Sequence, residues 1–419
     1  MSKKVYNYIE QNAEKLLWGI ILLTISLGGI YSLYLGDLFR FYDEGEYYLI
    51  AQNIVEKGFV TINGTDPSAW RPPGYPLWLS LFMTIGFNIF FLRLVNFALL
   101  GLCVYLVYKI LEPKSKLIGL CGALLMLFYP VFFFTASTFY PQIFVMTLFL
   151  LTIYLLFRES VVPYRTAVIV GVIYGVLMLT VVTFLGSLLI TAAWLVYESR
   201  EQWKKAAVMV LTTVMVLTPW TIRNYLVFDT FVLVANNGGV AFVLGNSPGT
   251  KPNLGGNISL PEFDKSKLKS EVAIDRYYKS TAINYMLNNK LKTVKMYFLK
   301  LLNHYNYTNI LMTKSQMSVV KDVVLFVTFY TLLAFALMRI AMFRKVSFSS
   351  KDMYLVLLYL GHGFLLALFI TRIRYRLPYD PLLAILGAPA LAYFLSKISG
   401  RMGSENQPQR HRGSEATQR

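Results

Sequence analysis

The residue types with the most chemical promise crowd into Phe41-Tyr42-Asp43-Glu44-Gly45-Glu46-Tyr47-Tyr48, where Asp43, Glu44 and Glu46 follow a long apolar run almost at once. Carboxylates held beside a low-dielectric region gain proton affinity and can serve as general bases. A solvated acidic cap on a helix over 46–56 is the competing reading of the same spacing. Further on, Arg71-Pro72-Pro73-Gly74-Tyr75-Pro76 forms a rigid proline turn that carries Arg71 and Tyr75 back toward the next apolar run, as a plain re-entry turn would also do. The only histidines are His304, His362 and His411, too few for a histidine metal site. Cys103 and Cys121 both fall inside apolar runs and read as small core residues, not a disulfide framework.

These side chains must be positioned by elements that live in lipid. The chain has 419 residues, of which 56% are hydrophobic, 16% aromatic and only 15% charged, with a mean hydropathy of +0.52. That is too little polar surface for a soluble protein, and it largely excludes disorder, coiled coil and cytosolic catalysis. Apolar runs near 16–35, 88–108, 117–135, 142–157, 166–182, 186–197, 205–221, 322–343, 353–371 and 379–396 predict an all-α polytopic membrane protein of about ten spans. Residues 166–197 are taken as two short helices turning at Thr183 to Gly186.

The formal charge of +18 follows the same layout. With the N-terminus cytoplasmic, Lys3, Lys4, Lys15, Lys109, Lys114, Lys116, Arg158, Arg165, Arg200, Lys204, Lys205, Arg344, Lys345 and Lys351 all fall on one side, together with the tail from Lys397. Topology and anionic lipid therefore account for the basic excess, and a nucleic-acid partner is not expected. The predicted organisation is an N-terminal membrane module (1–222) with a first outer loop at 36–77, an extracytoplasmic region at 223–321, C-terminal spans at 322–396 and a disordered cytoplasmic tail at 397–419. Within the outer region Ile283, Leu287, Leu291, Val294, Phe298 and Leu302 recur at helical spacing, with Lys290, Lys292 and Lys295 elsewhere on the wheel. This predicts one helix, either lying at the interface or buried in a small outer domain. Sequons at Asn63, Asn257 and Asn306 carry little weight, and a bacterial or archaeal plasma membrane is expected.

Four motifs occur in the order of a known family. Asp43-Glu44 with the helix ending at Lys57-Gly58 and the Arg71–Pro76 turn resembles the first outer loop of GT-C fold glycosyltransferases, in the branch related to protein O-mannosyltransferases and lipid A aminoarabinose transferases. Thr218-Pro219-Trp220-Thr221-Ile222-Arg223-Asn224-Tyr225 is similar to the segment ending that family's seventh helix, and Gly245-Asn246-Ser247-Pro248 to the outer loop after it. Thr371-Arg372-Ile373-Arg374-Tyr375-Arg376-Leu377-Pro378 resembles the outer turn before its last helix. Where many relatives place a second acid at the end of the fourth helix, this chain has Tyr140-Pro141-Gln142.

The resemblance implies a GT-C bundle that moves a sugar from a polyprenyl-phosphate donor to an extracytoplasmic hydroxyl on a glycan, lipid or protein, with inversion. Asp43 would take the proton of the attacking hydroxyl, and Glu44 would orient the acceptor or support Asp43. Arg71, Arg223, Arg372, Arg374 and Arg376 would meet the departing phosphate, whose oxygens their fork matches; interfacial snorkelling is the alternative for the last three. Tyr42, Glu46, Tyr75, Asn246, His304 and Tyr375 are the expected substrate contacts, and no metal or other cofactor is expected to be required. A polysaccharide ligase or polymerase using a lipid diphosphate would not need Asp43. A transporter or flippase would carry polar residues mid-span, where this chain has His362 alone.

Overall fold

The computed structural model describes residues 3–253, 258–264, 268, 270–309, 318–342 and 348–405, and every regular element among them is helical. In chain order these are α1 (Lys3–Leu35), α2 (Tyr42–Lys57), α3 (Gly74–Thr84), α4 (Ile89–Leu111), α5 (Lys116–Phe128), α6 (Val131–Ala136), α7 (Gln142–Phe157), α8 (Tyr164–Thr180) and α9 (Phe184–Glu198). There follow α10 (Trp203–Phe228), α11 (Gly238–Gly245), α12 (Glu271–Asn288), α13 (Lys290–His304), α14 (Val319–Ala341), α15 (Ser350–Leu366), α16 (Ile373–Arg376) and α17 (Pro381–Glu405). Among the described residues, four helical stretches are long and apolar enough to cross a membrane: Tyr8–Leu35, Ile89–Leu111, Arg200–Phe228 and Val319–Ala341. The shorter α5, α7, α8, α9 and α17 are also apolar, and the chain is an all-α polytopic membrane protein. Arg344, Lys345, Asn257 and the tail beyond residue 405 lie outside the described residues.

Each apolar run became a helix, and the departures have local causes. The 117–135 run is broken: Tyr129 is extended (φ −95°, ψ 95°) and Pro130 starts α6, because proline pushes the preceding residue out of helical geometry. The 166–197 run does form two helices, α8 and α9, which turn at 181–183. The expected single helix over 283–302 breaks at Asn289, whose side-chain amide donates to the Tyr285 carbonyl at 3.0 Å and closes α12. α15 stops at Leu366, short of the expected 371; α10 runs on past 222 to Phe228; and α17 continues past 397 to Glu405.

Packing follows small residues. Gly171 and Gly175 stand one turn apart on α8, where an added Cβ would come within 2.5 Å of the Met209 carbonyl oxygen and of the Val216 Cβ on α10, respectively. Close approach of this kind is how helices associate when burial from water offers no driving force. Thr213 Oγ1 adds a cross-helix hydrogen bond to the Gly171 carbonyl at 3.0 Å. α1 divides into a core-facing row, Ala13, Leu17 and Ile21, and an exposed apolar row that includes Leu22, Leu23, Ile30 and Leu33. Only lipid accommodates the second row. Cys103 and Cys121 are free and buried in the core. Gly171→Ile is expected to force α8 and α10 apart at a cost of about 3 kcal/mol, the upper end for overpacking. Thermal unfolding in detergent should show a lowered midpoint, whereas Val172→Ile on the exposed side should match the parent.

Candidate active site

Three connections converge at one end of the bundle: residues 36–88 between α1 and α4, the segment from 229 that holds α11 to α13, and 367–380 between α15 and α17. Arg93, 1% exposed, ties the first of these to the link between α6 and α7 by donating to the carbonyls of Gly36, Leu38 and Ser137. Glu44 completes that tie. Its Oε1 accepts the backbone amides of Arg40 and Phe41 at the start of α2, and its Oε2 accepts that of Phe139 at 3.0 Å. At 1% exposure, burial raises the Glu44 pKa while those amides and Arg93 partly offset the effect. Of the two roles expected for Glu44, orienting the acceptor or supporting Asp43, its partners fit the second: its oxygens are spent fixing α2 against the segment before α7. That anchorage turns its neighbour Asp43 toward Tyr140.

Asp43 is held from both sides. Its Oδ1 accepts from Arg71 Nη2 and its Oδ2 from Arg374 Nη1, both at 2.8 Å, with the Tyr140 hydroxyl donating to Oδ2 at 3.5 Å. Glu46 accepts from Arg71 through Nε at 2.7 Å and through Nη2. Arg374 also donates to the hydroxyls of Tyr140 (2.8 Å) and Tyr375 (3.2 Å) and lies over both rings. The Arg71 guanidinium lies 5.4 Å from the Tyr47 ring centre. Burial alone would raise the Asp43 pKa, but Arg374 and Arg71 outweigh it and hold the carboxylate below its ordinary value. Burial would likewise raise Tyr375, and Arg374 brings it below its usual value instead. Arg372, half-buried, belongs to the same electrostatic group: burial and Arg374 depress its pKa, while Tyr375, Tyr140 and Asp43 support its charge.

The cluster thus sets two carboxylates, Asp43 and Glu46, against three guanidiniums, leaving one positive charge over. Arg374 Nε is buried and has no hydrogen-bond partner among the described residues. The arrangement can bind an anion through arginine while holding a carboxylate beside it. An open groove of about 420 Å³ runs along the adjacent face of α2, lined by Phe39, Phe41, Tyr42, Gly45, Glu46 and Leu49. Tyr42 is 82% exposed there.

Several expected site residues are placed elsewhere. Arg223 donates to the carbonyls of Ser68 and Val60 and stacks on Trp220, tying the end of α10 to the first loop. Arg376 is fully buried; it pairs with Asp380 at 2.8 Å and donates to the carbonyls of His304 and Asn306, so it is a core strut with nothing left for a phosphate. His304, 1% exposed, packs edge-on against His362 beneath the α16 turn and is not among the residues lining the groove beside Asp43. Asn246 is spent on the carbonyls of Phe242 and Leu368. Tyr75, 1% exposed, packs edge-on against Tyr47 and supports the site from below. His362 stacks on Tyr379 at 3.8 Å and bonds the Tyr375 carbonyl at 2.9 Å, which fixes the turn carrying Arg374. Sequence reasoning missed Tyr140 and Tyr47. The Tyr140-Pro141-Gln142 segment stands out in the sequence for the acid it lacks, and no spacing signal pairs Tyr140 with Arg374, 234 residues away. Among the described residues no three His, Cys, Asp or Glu side chains are grouped to hold a metal ion.

Against known proteins, residues 70–222 match the family model described as dolichyl-phosphate-mannose-protein mannosyltransferase. The matched stretch includes Arg71, Tyr75 and Tyr140, and most of the Thr218–Tyr225 motif. No curated protein matches. Among solved structures the chain is similar to the crystal structure of ArnT from Cupriavidus metallidurans bound to undecaprenyl phosphate. The two share 12% identity over 93% of this chain and 81% of that one, with a TM-score of 0.45.

Proposed function

We propose that the chain is an inverting membrane glycosyltransferase that moves a sugar from a polyprenyl-phosphate donor to an acceptor hydroxyl, with its site on the extracytoplasmic face of a bacterial or archaeal plasma membrane. The observation that carries this reading is the Asp43 carboxylate gripped by Arg71 and Arg374, and the family model over 70–222 supports it. In this reading the acceptor oxygen bonds to the anomeric carbon from the face opposite the phosphate. The carbon–oxygen bond to that phosphate breaks, polyprenyl phosphate leaves with the bonding pair, and Asp43 receives the hydroxyl proton.

The grip on Asp43 has a chemical use. A carboxylate neutralised by two guanidiniums is a poor base. An arriving phosphate offers the same arginines a stronger anion, and the buried, unpartnered Arg374 Nε gains a hydrogen-bond acceptor once the side chain turns. As Arg374 turns toward phosphate, Asp43 regains basicity, so the base is fully armed only when the donor is seated. The arginines then stabilise charge where it accumulates on the leaving group. Arg71, Arg372 and Arg374 are the donor-phosphate residues of this proposal. Tyr375 and Tyr140 orient Arg374, and Tyr42 and Glu46 face the acceptor groove. No step here calls for a metal.

Mass spectrometry of lipids copurifying with the protein tests the donor class. A monophosphate-linked sugar on a polyprenol is expected. A glycan on a lipid diphosphate would instead place the chain among ligases or polymerases, and the absence of any prenyl lipid, together with no turnover of added polyprenyl-phosphate sugars, would remove the proposal.

A further inference from the structure

A second cavity, of about 360 Å³, lies between the Gly245–Thr250 loop and the α12–α13 pair, lined by Ser247, Thr250, Tyr285, Lys292, Thr293 and Lys295 among others. Its size falls in the roughly 300–1,000 Å³ range of small-molecule sites. No carboxylate lines it, and among the described residues neither Lys292 nor Lys295 is ion-paired. The Thr293 hydroxyl is buried and has no hydrogen-bond partner among the described residues. The wall is held without spending those lysines: Lys300, 2% exposed, donates to the carbonyls of Gly245 at 2.9 Å and Phe369 at 2.8 Å.

The flank of α13 says where this cavity sits. Leu291, Val294, Phe298 and Leu302 are 88%, 56%, 56% and 70% exposed. Among the described residues none covers that continuous apolar row, so of the two sequence readings the interfacial one fits. Each of Lys292, Lys295 and Leu299 follows a member of that row by one position, about 100° round the helix. With the apolar row sunk into the acyl boundary, the lysine-lined mouth stands at headgroup height.

We infer that this cavity is a binding site for the phosphate headgroup of an anionic phospholipid in the leaflet on which α13 lies. Lys292 and Lys295 supply the charge, the unpartnered Thr293 hydroxyl supplies a donor, Thr250 shapes the wall with its own hydroxyl spent on the Leu244 carbonyl, and the acyl chains run along Leu291, Val294 and Phe298. The site is separate from the Asp43 cluster and stands whether or not the transferase reading does.

The test is thermal unfolding and native mass spectrometry of the full chain in detergent, titrated with phosphatidylglycerol, phosphatidylcholine or inorganic phosphate. Saturable binding of phosphatidylglycerol with a raised unfolding midpoint is expected. The double variant Lys292→Glu/Lys295→Glu should bind it about tenfold more weakly, or about 1.4 kcal/mol. Both lysines are exposed, so the variant should unfold at the parent midpoint when no lipid is added. Lys290→Glu, exposed on the same helix but outside the lining, should stay within about twofold, since it changes only the diffuse field. Equal binding of phosphatidylcholine, or an equal loss with Lys290→Glu, would show an unspecific charged surface and overturn the site. Inorganic phosphate binding as tightly as the lipid would overturn the lipid as its occupant.

Discussion

Asp43→Asn is expected to lower the rate of sugar transfer by about 10³-fold, within the 10²–10⁴ span typical of losing a positioned general base. The amide is nearly isosteric with the carboxylate, and Asp43 is only partly buried, with 22% of its side chain exposed, so folding should survive. Arg71 keeps Glu46 as its partner, and Arg374 keeps the hydroxyls of Tyr140 and Tyr375. Donor binding should therefore be retained or tightened, because the phosphate no longer competes with a carboxylate for Arg374. Single-turnover assays with a polyprenyl-phosphate sugar, beside direct donor binding, separate the two effects. Near-parent turnover in the variant would remove Asp43 as the base. The ion pairs also make a pH statement. Because the folded-state pKa of Asp43 is depressed, its contribution to stability is complete above the ordinary carboxylate value of about 4 and is lost as pH falls below it. Asp43→Asn should flatten that acid limb of thermal stability.

Arg374→Ala is the second large effect, with an expected loss of about 10²–10³ in kcat, the scale for removing one group that stabilises developing charge. The loss should be accompanied by weaker donor binding, which Asp43→Asn does not produce. Arg374→Lys should recover little. An ammonium is a single point of charge, whereas Arg374 at once serves Asp43 and the hydroxyls of Tyr140 and Tyr375. The diagnostic lies in the pH profile. Removing Arg374 takes away the larger of the two charges holding Asp43 down, so the acidic limb of kcat/KM should move upward in pH. A limb that stays in place would mean that Asp43 is not the titrating group.

Much of the bundle could be read from its apolar runs, because a span of lipid-crossing length leaves few alternatives. What escaped was decided by one or two residues: Pro130 broke a run, and Asn289 divided an otherwise continuous periodicity. In the site, Asp43 and Arg71 could be read together because both fall in the one connection between α1 and α4, a carboxylate in the first turn of α2 and an arginine fixed by Pro72 and Pro73 before α3. Neighbours were harder to sort. Glu44 adjoins Asp43, yet the amides at the start of α2 capture it. Arg374 and Arg376 lie two positions apart on α16, yet one faces Asp43 and the other is driven inward to Asp380. No spacing rule separates such pairs, since the outcome depends on which surface packs against the turn. Asn246 and His304 failed for the same reason: their surroundings come from segments far along the chain, Leu368 for one and His362 for the other.

The ion pair between Asp43 and Arg374 joins positions 331 residues apart, and this has a bearing on biogenesis. A ribosome-bound chain inserts its first helices, and with them Asp43 and Arg71, long before α16 exists. Until that late turn leaves the translocon, the carboxylate lacks one of its two guanidinium partners. On the proposed reading, competence therefore waits for α16, and a chain that stops before α16 would hold Asp43 by Arg71 alone of the two guanidiniums.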